Sequence, residues 1–160
     1  MVEIAEGLQY LHVEKNIVHR DMKPENILIK DGRPLIADLG ISRLISSSGA
    51  CTQVGTMTYI APEMLEDDKY GFTVDIWALG LIFIELALGQ RIREVLPGAL
   101  PPSQRPNFPA EDLLNKINNI GTRKLVKSML QRDCRSRPTI SQVVESLGGK
   151  ASNIDRKMPK

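Results

Sequence analysis

Three features of the sequence predict a mainly helical domain carrying one small β-hairpin. Residues 73–88 are apolar on nearly every face, which suits a helix enclosed by a core. Apolar residues recur at helical spacing in three further stretches, around Leu8, Val126 and Val143. Paired strands are signalled at one place only, where two short apolar runs flank Asp31-Gly32.

Along the chain, Ile4, Leu8 and Leu11, with Ala5 beside them, define a first helix. It opens at Met1 with no Ser, Thr, Asp or Asn cap before it, so it reads as the remainder of a longer helix, and Asn16 ends it. A short apolar piece, Ile17-Val18, leads into the polar segment from His19 to Asn26. Residues 27–29 and 35–37 read as the two strands, because Asp31 and Gly32 both tolerate the positive φ of a tight turn. Residues 39–60 are rich in Ser, Thr and Gly without a sustained period, which predicts a long functional loop. Five prolines between Pro97 and Pro109 forbid regular structure and predict a surface loop. Leu125, Val126, Met129 and Leu130 give an amphipathic helix over 122–132. Thr139 followed by Gln142 is a capping box for a last helix that Gly148-Gly149 stops. Two strands thus stand against about six helices, and residues 149–160 read as a basic, disordered tail.

Composition bounds the function. A chain of 160 residues is one ordinary domain, long enough to bury a core without disulfides or metal. A net charge of +2 argues for neither nucleic acid nor a membrane surface as partner. The longest apolar run, 76–88, is interrupted by Glu85 and too short to span a bilayer. Cys51 and Cys134 lie far apart, outside metal-ligand spacing, which suits reduced thiols in a cytoplasmic protein.

The chemistry concentrates around the hairpin. Asn26 precedes the first strand and Asp38 follows the second, so the hairpin makes them neighbours. A carboxylate beside an amide offers the hard oxygen ligands that Mg²⁺ prefers. Asp21 and Lys23 lie on the same approach loop, and a base, a cation and a metal site together suit phosphoryl transfer.

These residues fall into a recognisable order: His19-Arg20-Asp21 with Asn26 five after the Asp, Asp38-Leu39-Gly40, Ala61-Pro62-Glu63, Asp75-Ile76-Trp77 with Gly80, and Arg137 before Pro138. In that order and spacing the sequence resembles the C-terminal lobe of a eukaryotic serine/threonine protein kinase over residues 1–148. The resemblance implies roles. Asp21 is similar to the aspartate that orients the substrate hydroxyl and accepts its proton, and Lys23 to the lysine that contacts the γ-phosphate. Asn26 and Asp38 would hold Mg²⁺, Asp38 would also place the ATP phosphates, Leu28 would pack beneath the adenine, and Thr56 would hydrogen-bond near Asp21 and Lys23. Lys23 two residues past Asp21, with Gly55-Thr56 before Tyr59, resembles serine/threonine rather than tyrosine kinases.

Regulation is implied as well. An arginine at Arg20 usually pairs with a phosphorylated loop residue. Thr52, four before Thr56, sits at the usual phosphosite, with Arg43 as a second partner and Ser46, Ser47, Ser48 and Thr58 as competitors, so an activating kinase is an expected partner. Structural roles are expected for His19 beneath the Asp38-Leu39-Gly40 turn, for Leu39 in an internal stack, for a buried Glu63–Arg137 pair, and for Asp75 bracing the catalytic loop. Glu85 either lines a substrate groove or finds a core partner.

The 160 residues contain no glycine-rich phosphate loop, no strand lysine in a Val-Ala-Ile-Lys context and no glutamate to pair with it, so the smaller lobe is read as absent. Two functions follow. One is an ATP- and Mg²⁺-dependent kinase acting on protein Ser/Thr hydroxyls, with this chain truncated and inactive alone. The other is a catalytically inactive, kinase-like binding or scaffolding fragment.

Overall fold

The computed structural model describes residues 1–39, 56–66, 70–96 and 100–150, with only the backbone of Thr56 and Glu66. Helix α1 (Val2–Gln9) buries Ile4, Ala5 and Leu8 and continues into a wider π-helical turn, Tyr10–Glu14, which buries Leu11 and His12. Asn16, at φ 55°, turns the chain out of it. A 3₁₀ turn, Pro24–Asn26, delivers the chain to β1 (Ile27–Lys30), which pairs antiparallel with β2 (Arg33–Ile36). Asp31 and Gly32 take φ 50° and 75°, the twin positive values that a two-residue hairpin turn demands. The pairing sets Ile27 opposite Ile36 and Leu28 opposite Leu35.

After a 3₁₀ turn, Thr56–Tyr59, and the short α2 (Glu63–Glu66), the chain enters α3 (Thr73–Leu88). Every residue from Val74 to Glu85 is buried, so α3 is the axis of the core, as its all-round apolarity predicts. Gly89 ends it at φ 66°, donating its N–H to the Glu85 carbonyl. Gly80 lets α6 (Ile120–Met129) lie close against α3, since a Cβ there would stand 3.0 Å from Leu130 Cδ2. Between them come α4 (Ile92–Val95) and α5 (Glu111–Asn115), and α7 (Ile140–Ser146) closes the fold against α1. The Thr139–Gln142 capping box forms in both directions.

Two expectations need correction. Helix α6 starts at Ile120 rather than 122, because Asn119 accepts the Thr122 N–H and caps it earlier. The proline-rich segment is only partly a surface loop: Pro102 and Ser103 are buried in a 3₁₀ turn, and Phe108 packs on Trp77 with ring centroids 5.9 Å apart. No described helix is long and apolar enough to cross a membrane. Gly40, Arg43, Ser46, Ser47, Ser48, Cys51, Thr52 and the tail 151–160 lie outside the described residues.

Candidate active site

The segment from His19 to Asn26 has no regular structure of its own before Pro24, so its shape is imposed by what it bonds to. Asp75, in the first turn of α3 and 1% exposed, is the main anchor. Its Oδ2 accepts the His19 N–H at 2.7 Å and its Oδ1 the Arg20 N–H at 2.8 Å. The His12 ring completes the set, with Nε2 2.8 Å from Oδ2. One buried carboxylate therefore satisfies two loop amides and an imidazole, and the expected brace is present. Arg20 takes φ 72°, a left-handed conformation that this double clamp holds in place, and its guanidinium lies 5.5 Å from the Tyr70 ring centre.

His19 ties the loop to the hairpin. The Asp21 N–H donates to its Nδ1 at 3.3 Å, so the proton sits on Nε2, which donates to the Ala37 carbonyl at 2.9 Å. The ring is 1% exposed and acts as a strut under the residue that precedes Asp38.

Asp21, Lys23 and Asn26 converge. Lys23 Nζ donates to Asp21 Oδ2 at 2.7 Å, and Asn26 Nδ2 donates to the Asp21 carbonyl at 2.7 Å and to the same Oδ2 at 3.1 Å. Among the described residues Oδ2 accepts two of these bonds and Oδ1 accepts none. Only an amide NH₂ can donate to both Asp21 oxygens, so the Asn26 orientation is fixed and its Oδ1 remains as a hard acceptor. Asn26 and Asp38 come together as the hairpin requires, the Ala37 N–H donating to the Asn26 carbonyl at 2.8 Å. Asp38 is exposed and sits at φ 63°.

Leu28 is 54% exposed and lies opposite Leu35 at 48%, so the hairpin turns an apolar face outward where a flat ring is expected. Leu39, expected in an internal stack, is 42% exposed and follows Asp38. The backbone of Thr56 opens its 3₁₀ turn, while its side chain lies outside what is described.

The Glu63–Arg137 pair forms as expected and is bidentate, at 2.6 and 2.8 Å. Arg137 also donates to the Gln131 and Thr73 carbonyls and lies over Trp77 at 5.0 Å. Glu85 finds core partners: its Oε1 accepts the Tyr59 hydroxyl and the Ile92 N–H, each at 2.7 Å. Burial, reinforced by this carboxylate, raises the Tyr59 phenol well above its ordinary range. The sequence reading missed Arg91, which sits near both Glu85 and Glu25. It also missed His12, whose position seven before His19 gave no local signal.

Comparison with known proteins identifies the family. The family model described as "Protein kinase domain" matches residues 1–147. Mitogen-activated protein kinase kinase 3 of Arabidopsis thaliana is 34% identical over 160 residues, covering 89% of this chain and 28% of the relative. Serine/threonine-protein kinase Nek4 of Mus musculus is 31% identical over 156 residues, covering 89% of this chain and 18% of the relative. Dual specificity protein kinase FUZ7 of Mycosarcoma maydis is 46% identical over 90 residues, covering 56% of this chain and 21% of the relative. The chain therefore spans between about a sixth and about a quarter of these relatives' lengths.

Proposed function

This chain belongs to the protein kinase family, and from that premise we propose that the protein transfers the γ-phosphoryl group of ATP to serine and threonine hydroxyls of protein substrates. The observation that carries the reading is the convergence of Asp21, Lys23 and Asn26 on one carboxylate oxygen beside an exposed Asp38.

Asp21 orients the incoming hydroxyl and takes its proton on Oδ1, while Lys23 and Asn26 hold the carboxylate in place through Oδ2. Lys23 is partly exposed and supplies the positive charge that a transferring phosphoryl group requires. Leu28 and Leu35 offer the apolar floor for the adenine.

The oxygens present fit Mg²⁺. Asn26 Oδ1 and the Asp38 carboxylate are hard donors, and no described cluster of three His, Cys, Asp or Glu would favour a softer metal. Few protein ligands suit Mg²⁺, which completes its shell with water and phosphate oxygens. Asn26 and Asp38 would hold the ion, which when bound would offset the negative charge of the phosphates.

Lys23 in the catalytic loop and Gly55-Thr56 ahead of Tyr59 support serine/threonine choice. Arg20, with Arg43, is proposed to receive a phosphate on Thr52 added by an activating kinase. The mechanism of this family also uses a lysine–glutamate pair that the 160 residues do not supply, so residues 1–160 alone are proposed to be inactive.

The test is phosphotransfer from labelled ATP to serine, threonine and tyrosine peptides, by the full-length protein and by residues 1–160. Full-length protein is expected to label serine and threonine, with Asp21→Asn lowering the rate by roughly 10²–10⁴-fold. Robust transfer by residues 1–160, abolished by Asp21→Asn, overturns the dependence on the second half. Activity unaffected by Asp21→Asn overturns the assignment itself.

A further inference from the structure

We propose that Arg91 is a specificity-determining residue: a built-in guanidinium seated between Glu25 and Glu85 that weakens selection for arginine or lysine in the protein substrate. The proposal rests on the kinase reading above, since it takes the surface beside Asp21 to be where substrate lies.

Glu85 is one of two buried carboxylates in α3, with Asp75 in its first turn, and its side chain is only 8% exposed. Its two oxygens differ. Oε1 is fully used by the Tyr59 hydroxyl and the Ile92 N–H. Among the described residues, Oε2 meets only Arg91 Nη1, at 3.5 Å, the outer limit of a hydrogen bond. The same nitrogen stands 3.6 Å from Oε1 of Glu25, four residues past Asp21. One guanidinium nitrogen thus bridges two carboxylates and bonds tightly to neither.

The surroundings fit a longer cationic side chain. A cavity of about 360 Å³ is lined by Pro24, Ile27, Ile82 and Leu86 together with Glu85 and Arg91. Apolar walls beside the Glu85 carboxylate suit a side chain with an aliphatic stem and a cationic head.

Arg91 is 41% exposed and Glu25 53%, so their ion pair is weak and open to exchange. Arg91 nevertheless competes from within the chain, at an effective concentration on the order of millimolar. A peptide arginine of lower affinity cannot displace it.

The experiment uses residues 1–160 and serine octapeptides in which one arginine is walked along an alanine background, with dissociation constants read by fluorescence anisotropy at low salt. Arg91→Ala is expected to bind at least one arginine peptide about tenfold more tightly than the wild-type chain does. The all-alanine parent should be unchanged, and the gain should vanish in Arg91→Ala/Glu25→Gln. Arg91→Gln repeats the measurement if Arg91→Ala melts early. The proposal is overturned if no arginine peptide gains, if the parent gains equally, or if neither variant binds any arginine peptide. Binding needs no phosphotransfer, so a failed Asp21→Asn experiment would be seen separately from a failure here.

Discussion

On its core side the catalytic loop is held by one buried carboxylate serving three donors, while on its solvent side Leu28, Leu35, Asp38 and Leu39 stand exposed along the same hairpin. The core side is positional: His12, His19 and Asp75 are each at most 3% exposed, and their bonds fix backbone amides and a carbonyl. The solvent side is the one proposed above to carry the chemistry, and its groups are exposed. The division is physical. A loop with no regular structure can present reactive groups only if its backbone is over-determined from beneath. Substitutions on the two sides should therefore separate stability from activity.

The largest effect belongs to the anchor. Asp75→Ala leaves a buried and a part-buried loop N–H and the His12 ring without their acceptor, and is expected to cost about 3–5 kcal/mol of folding stability. Urea denaturation of residues 1–160 measures it. A loss below about 1 kcal/mol would mean that the loop is not held by this carboxylate and that the contrast between the two sides is wrong.

Tyr59 ranks next, because it belongs to the buried side yet titrates. Tyr59→Phe removes a hydrogen bond to a charged acceptor, worth roughly 1.5–3 kcal/mol at neutral pH, while Glu85 keeps the Ile92 N–H. The phenol's pKa is raised on folding, so the folded state holds the proton more tightly. Its contribution is fully present below the ordinary tyrosine value of 10.0 and is lost as pH rises above it. Wild-type stability should fall with pH beyond that point more steeply than that of Tyr59→Phe. Parallel slopes would remove the Tyr59–Glu85 bond from the account.

What the sequence made legible followed the same division. Helix α3 could be bounded because its apolarity runs almost unbroken through sixteen residues, and the hairpin because Asp31-Gly32 encodes a backbone conformation. Asp21, Lys23, Asn26 and Asp38 were legible as a candidate site because they cluster around one hairpin. Features depending on distant partners were not. The exposure of Leu39 could not be read from its own apolarity. The inward turn of Ser103 and Phe108 depends on Trp77 and on Arg132, which donates to the Ser103 carbonyl. Asn119 was a readable cap that the apolar period alone concealed. Arg91 gave no signal, since an arginine after a helix-ending glycine is ordinary until the distant Glu25 and the nearby Glu85 flank it.

Asp38→Asn should give the smallest change in stability and so sharpens the comparison most. Asp38 holds φ 63°, and asparagine is among the few residues that adopt this conformation readily, so the backbone requirement is met equally well. The side chain is exposed and none of the braces described above uses it, which places the expected stability change within about 0.5 kcal/mol. Its charge is another matter. If Asp38 is a Mg²⁺ ligand, losing the carboxylate removes a formal charge from a site of few protein ligands, and phosphotransfer by full-length protein should fall severely while the urea midpoint of residues 1–160 stays put. A large drop in midpoint would put Asp38 among the positional residues. Unchanged activity with unchanged stability would leave the solvent side of the hairpin without its chemistry.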